Sequence, residues 1–384
     1  MIYLDYAATT PVDPRVLEAM RPYFEDKFGN PSSIHRYGQQ AEAAVESARE
    51  TVAAVLHCRP QEIVFTSCGS ESDNLALRGV ALAMREKTGA NYILTSRTEH
   101  HAVSKTAEQL EKYHGFKVEW LDVSADGTVT AEAVQRAICD KTALVSVMYA
   151  NNEIGTVNPI AEIAAVCHAH GVSLHTDAVQ AAAYLPTDVS GLDVDLMSLG
   201  GHKLYGPKGV GALYVRDGTA LIACQTGGGQ EHGLRAGTQN VPYIVGMASA
   251  LRLARDERAD RVSRVQPLRD RIIGTVLETI DDVCLTGSAE HRMPNHASFV
   301  FKDVDGNLLL TLLDSAGFAC SSGSACKTGN PEPSEVLTSL GLPREWALGS
   351  LRITLGSAST PQDVDEFLRA LPGLVNRARN LATK

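Results

Sequence analysis

The sequence predicts an α/β protein in which a mostly parallel sheet flanked by helices makes up the large part and a smaller α+β part follows. Two observations carry this expectation. Short β-branched runs alternate with longer amphipathic stretches up to about residue 240, which is the pattern of strands joined by helical crossovers. After Val241 the texture changes to a long stretch rich in Ala, Arg and Glu, followed by only a few strand-like segments.

In chain order, EIVFT at 62–66, NYILT at 91–95, ALVSVMY at 143–149, VSLHT at 172–176 and GALYV at 211–215 read as strands. Between them, 39–56, 70–87, 131–139 and 160–170 read as helices, long enough for right-handed connections between parallel strands. Ligands are then expected at the C-terminal ends of the strands. The stretch 244–280 reads as one or two extended helices, and the domain boundary is placed near its middle. That division gives a large domain at 13–260 and a small domain made of 1–12 and 261–384. ASFVF at 297–301 adds a strand to the small domain, 307–315 a helix, and 321–330 a Ser/Gly-rich segment.

The chain has 384 residues and 44% hydrophobic content, enough for more than one ordinary core. A formal net charge of −10 argues against broad capture of nucleic acid or anionic lipid, which need clustered excess Lys and Arg. The N-terminal MIYLDYAATTPVDPR lacks the basic start and apolar stretch of a signal peptide, and no apolar run reaches membrane-spanning length. Eight cysteines are scattered without C-x-x-C pairs, a poor match to a disulfide framework, so the expected location is the reducing cytoplasm.

Five places could carry chemistry. In SLGGHKLYGPKGVGALYVR, Lys203 lies in a glycine-punctuated turn between two apolar runs. A lysine that bonds to a carbonyl cofactor must be partly desolvated, so that its amine can be neutral, and Gly200, Gly201 and Gly206 would let backbone come close. A solvated loop lysine fits equally, and Lys208 sits in nearly the same context. Asp177 follows a buried strand, where a carboxylate would suit a pyridinium nitrogen, or would cap a helix starting near Ala178. Gly69 and Ser70 lie between a strand and a helix start, a place for a phosphate or for a Ser-led cap.

The neighbours His100 and His101 follow another strand, where one imidazole could stack on a planar ring and move protons. No metal site is expected, because further ligands at matching spacing are missing and His168 and His170 diverge on a helix. Finally, Cys326 lies among Ser, Gly, Lys and Asn. Lys327 beside it would lower its thiol pKa, whereas Cys320 ends the apolar GFAC and reads as inert. A stray loop cysteine is the alternative for Cys326.

Taken together, YLDYAATTPVDPRV, FGNPSSIHRYG, TSCGSESDNLAL, TEHHAV, NNEIGTV, HTDAVQ, GGHKLYGPKGVGALYVR, GLRAGTQN, SSGSAC and SLRITLG span nearly the whole chain. In that order they resemble the cysteine desulfurases of the NifS and IscS type, within the class V aminotransferase-like family of pyridoxal-phosphate enzymes with transferase fold type I. The resemblance implies conversion of L-cysteine to L-alanine, with sulfur passed to Cys326 and on to an acceptor protein such as an iron-sulfur scaffold or a tRNA thiolation protein. A selenocysteine lyase or an aminotransferase on the same fold is the alternative.

By the same resemblance, Lys203 bonds to the aldehyde of pyridoxal 5'-phosphate, Asp177 holds its ring nitrogen and Gln180 reaches its phenolate oxygen. Gly69, Ser70 and His202 serve the phosphate, and Thr238 reaches the phosphate of a neighbouring subunit, which implies a homodimer. His100 rather than His101 is the ring-stacking acid and base, and Asn152 and Arg352 receive the substrate carboxylate. Two departures stand out, Gly200 where many relatives have Ser and Lys327 where many have Thr.

Overall fold

The computed structural model describes residues 1–323 and 332–382. Its strands are β1 (Ile2–Tyr3), β2 (Ile63–Thr66), β3 (Tyr92–Ser96), β4 (Lys117–Leu121), β5 (Thr142–Ser146), β6 (Leu174–Asp177), β7 (Leu196–Gly200), β8 (Gly211–Val215), β9 (Val283–Leu285), β10 (His296–Phe301), β11 (Phe318–Ala319) and β12 (Ser350–Thr354). Seven of them form one sheet in the order β2-β8-β7-β6-β5-β3-β4. Pairing is parallel from β7 to β4, and antiparallel where β8 meets β7 and β2. The expected mostly parallel sheet is present.

Both faces of this sheet are covered, which is why its strands read as unbroken apolar runs. Ile63 and Phe65 of β2 pack into one core with the helices Arg36–Leu56, Ile160–Ala169 and Val241–Asp256. Val64 turns to the opposite face, where the helices Gly69–Thr88 and His101–His114 supply Leu77, Val80, Val103 and Leu110.

The predicted elements recur with bounds moved by a few residues, and 143–149 shortens to β5. Several elements went unread, among them the helix Pro14–Met20, β9, β12 and the helix Pro361–Ala382, and two others show why. β4, with KVEWL alternating between exposed and covered positions, is an edge strand paired only to β3, so charged residues suit its open side. The helix His101–His114 begins without Ser, Thr, Asp or Asn at its cap, where His100 stands instead.

The stretch 244–280 resolves into two helices, Val241–Asp256 and Arg258–Thr279, that meet at Glu257. Beyond them an antiparallel sheet β12-β10-β9 lies beside the short parallel pair β1-β11. The helices Gly306–Ser315 and Pro361–Ala382 accompany it. No helix among the described residues is long and apolar enough to cross a membrane.

Candidate active site

A cavity of about 240 Å³ opens at the C-terminal ends of the parallel strands. β6 delivers Asp177 as its last residue, and β7 runs into the one-turn helix Gly201–Lys203. The chain after β3 brings His100, and the chain after β5 brings Met148 and Asn152. Gly69 and Ser70 open the helix that follows β2. The antiparallel sheet contributes Arg352 from β12, and Ala7 and Ala8 close the wall from the N-terminal segment.

Lys203 Nζ donates to the carbonyls of Ala7 and, at 2.8 Å, Ala8. Burial and the nearby Arg352 guanidinium lower its pKa to about 8, against the pull of Asp5 and Asp177. Lys208, five residues on, is exposed. The two lysines, which sit in nearly the same sequence context, are therefore separated by burial. Gln180 Nε2 donates to the same Ala7 carbonyl at 2.8 Å, so the cavity wall and two candidate cofactor residues share one anchor.

Asp177 does not cap an α-helix, because only a 3₁₀ turn, Ala181–Ala183, follows it. Its Oδ1 accepts from the Val179 backbone N–H at 2.9 Å. Burial pushes its carboxyl pKa up, and His100 and Lys203 draw it down. Ser70 is not the cap of its helix either; Cys68 is, with no side-chain bond. His100 Nδ1 accepts from the Ala102 backbone N–H at 3.1 Å, which leaves the proton of a neutral ring on Nε2. Burial first, then Lys203 and His101, lower its pKa, while Asp177 opposes them. His101 lines only the outer, adjoining cavity.

His202 lines the cavity with its pKa lowered to about 4 by burial and by Lys203 and Lys208. Arg352 donates from Nη1 to the Asn152 carbonyl at 2.9 Å. Thr238 lies exposed, outside this cavity. Cys326 and Lys327 fall outside the described residues. Burial raises the Cys320 thiol pKa, in keeping with an inert cysteine.

One residue escaped the sequence reading. Asp73, one turn after Ser70, is 1% exposed, and its Oδ1 has no hydrogen-bond partner. Ligand-type atoms of Asp73, His100 and Asp177 come within 4.8 Å of one another, although the three residues are far apart in sequence. The signal available was helical spacing, since Ser70 and Asp73 share a face of the helix.

Residues 2–367 match the family model described as aminotransferase class-V. The chain belongs to this family. It is 45% identical over 383 residues to the cysteine desulfurase IscS of Clostridium botulinum, covering 99% of this chain and 96% of that protein. Among solved structures of the family, a NifS-like protein superposes with a TM-score of 0.90 at 36% identity, covering 98% of this chain and 99% of its own. SspA, solved in complex with cysteine, gives 0.81 at 36% identity, over 94% of this chain and all of that one.

The residues fit the family's cofactor, pyridoxal phosphate. A buried carboxylate at Asp177 suits a protonated ring nitrogen, whose charge would offset the cost of burial. Lys203 offers an amine of lowered pKa for an aldehyde. At Gly69 a Cβ would meet Val179 Cγ2 at 2.6 Å, so the helix start is open backbone where a phosphate can approach. At Gly200 a Cβ would stand 3.1 Å from Val179 Cγ1, so the glycine accommodates Val179 where a serine would press on it.

Proposed function

We propose that this chain is a pyridoxal-phosphate-dependent cysteine desulfurase that releases L-alanine from L-cysteine and carries the sulfur on Cys326 to an acceptor protein. The observation that carries this reading is Lys203, a half-buried amine of lowered pKa that shares its cavity with Asp177, His100 and Arg352. The bound cofactor supplies an electron sink for the pair left when a bond to the substrate Cα breaks. Lys203 would bond to the cofactor aldehyde and, once freed, could take the Cα proton, while His100, whose neutral ring carries its proton on Nε2, could donate from that atom. Asp177 keeps the ring nitrogen protonated, Gln180 reaches the phenolate oxygen, and Gly69, Ser70 and His202 hold the phosphate. Arg352 and Asn152 receive the substrate carboxylate.

The Cys326 thiolate attacks the substrate sulfur. The bond from that sulfur to carbon breaks as the bond to Cys326 forms, its electron pair passes to that carbon, which takes a proton, and return of a proton to Cα completes alanine. Lys327 favours the thiolate by its charge. A homodimer is supported by the large apolar side chains of Phe24, Phe28, Ile34 and Tyr37, exposed on one N-terminal stretch, with Ile34 93% exposed. Exposed Thr238 is then free to reach the phosphate of the neighbouring subunit. A cytoplasmic location suits the scattered cysteines, and the break at Glu257 supports a division into 13–260 and 1–12 with 261–384. The acceptor serves iron-sulfur cluster assembly or thiolation.

The test is incubation with labelled cysteine, followed by mass spectrometry to find which cysteine, and then which partner, carries the extra sulfur. Cys326→Ala should keep bound cofactor and lose sulfide release, and full activity in that variant overturns the nucleophile assignment. Alanine formed without any keto acid separates this activity from transamination.

A further inference from the structure

Asp5 lies two residues after β1, between the cavity wall and the strand that supplies Arg352. Its Oδ1 accepts from Arg352 Nη2 at 2.8 Å, and its Oδ2 accepts from Ser321 Oγ at 2.7 Å. Backbone contacts repeat the linkage, because Asp5 bridges Thr354 of β12 and Ser321 bridges Arg352 itself. The opposite end of the guanidinium fork is held by the Asn152 carbonyl at 2.9 Å. All of this happens largely out of solvent, with the Arg352 side chain 8% exposed and that of Asp5 14%.

An arginine side chain has several rotatable bonds and can hold a carboxylate two-pronged only if its plane is fixed. Here both Nη atoms are engaged by acceptors from two separate segments, and the acceptor on Nη2 is itself tied down by a hydroxyl. The guanidinium keeps further N–H donors for a ligand.

We infer that Asp5, anchored by Ser321, is a positioning residue that aims Arg352 at the α-carboxylate of the bound amino acid. The inference rests on the reading of Arg352 as the carboxylate receptor. Asp5 does not touch the reacting atoms. Its effect should therefore fall on ligands that carry a carboxylate and spare those that do not.

The experiment uses the cofactor-loaded protein and two probes, L-alanine and ethylamine, which differ only by the carboxylate. Binding is followed through the change each causes in the cofactor absorption, so desulfuration is not needed for the readout. In Asp5→Asn, L-alanine should bind about 10-fold or more weakly while ethylamine stays within about 2-fold, because a buried guanidinium has lost its charged partner. Ser321→Ala should give the same pattern at about 2- to 3-fold, the loss of one anchoring hydrogen bond.

Unchanged alanine binding in Asp5→Asn overturns the inference, and so does equal weakening of both probes, which would mark a merely structural role. Should Asp5→Asn fail to fold or to hold cofactor, Ser321→Ala decides, and unchanged alanine binding there overturns it. A wild-type protein that binds ethylamine as tightly as alanine overturns the Arg352 assignment itself. Absence of desulfuration with selective loss of alanine binding in the variants would leave Asp5 in place and remove only the proposed activity.

Discussion

Arg49 and Glu231 form a two-pronged ion pair in the protein interior, Nη1 to Oε2 at 2.8 Å and Nη2 to Oε1 at 3.0 Å, with side chains 2% and 1% exposed. Glu231 Oε2 also accepts from the Phe65 backbone N–H at 2.8 Å, and Arg49 Nη1 donates to the Ile63 carbonyl at 2.7 Å. The pair thus pins the chain around Glu231 to β2, the strand that leads into Gly69.

Truncating Glu231 removes the buried partner of Arg49 and leaves it only the largely exposed Glu46, at 3.1 Å from Nε, and the Ile63 carbonyl. Glu231→Ala should lose about 3–5 kcal/mol of stability, seen as a shifted denaturant midpoint. A loss under 1 kcal/mol would mean the charges are far better solvated than their burial indicates.

The glycine at 69 makes a coupled prediction. Gly69→Ala presses a methyl on Val179, a stiff β-branched side chain, and should cost about 1–3 kcal/mol together with weaker cofactor retention. Val179→Ala should relieve most of that cost in the double variant. Strict additivity of the two changes, measured by denaturation, would show that they do not meet.

For Lys203 the pH dependence follows from its lowered pKa. The neutral amine is the nucleophile, and lowering the pKa from the ordinary 10.5 to about 8 populates that form at lower pH. Capture of pyridoxal phosphate by the cofactor-free protein, followed by absorbance, should speed up with rising pH and level off above about pH 8. A rate still climbing tenfold per unit at pH 9 to 10 would contradict the burial of this amine, and Lys203→Ala should show no covalent capture.

Glu153 is shifted by the same cause, burial, in the opposite direction, and this gives a stability profile. Burial raises its pKa from 4.5 to about 7, against the hydrogen bond from Ser334 Oγ at 2.5 Å. The folded state therefore holds this proton more tightly than the unfolded chain, a contribution fully present below about pH 4.5 and lost as pH rises through about 7. Glu153→Gln should flatten that part of the profile and leave the variant roughly 2–3 kcal/mol ahead of the parent at pH 8, relative to pH 5. Calorimetry at the two pH values decides it, and parallel profiles would refute the assignment.

Much of this molecule is legible without coordinates, for physical reasons that particular elements show. GALYV at 211–215 was read with its observed bounds because a strand buried on both faces writes itself as an unbroken apolar run. β4 escaped because an edge strand needs no such run, and the helix at His101 escaped because a histidine capped it. At the site, the residues read from motifs at 69, 70, 100, 152, 177, 180, 202, 203 and 352 all line one cavity. Asp73 was missed because a carboxylate one turn into a helix looks like an ordinary exposed polar residue until its burial is seen.

The amino-acid order alone determined the alternation of strands and helices and the motifs that mark the family, since periodicity and turn chemistry act between near neighbours. The motifs already favour Lys203 over Lys208 and His100 over His101; only the tertiary structure decided that Asp73 enters the same inner cavity and that Asp177 sits beside Asp73 and His100. Those outcomes depend on burial and on charges brought from distant parts of the chain, and desolvation and Coulomb interaction respond to distance through space rather than along the sequence.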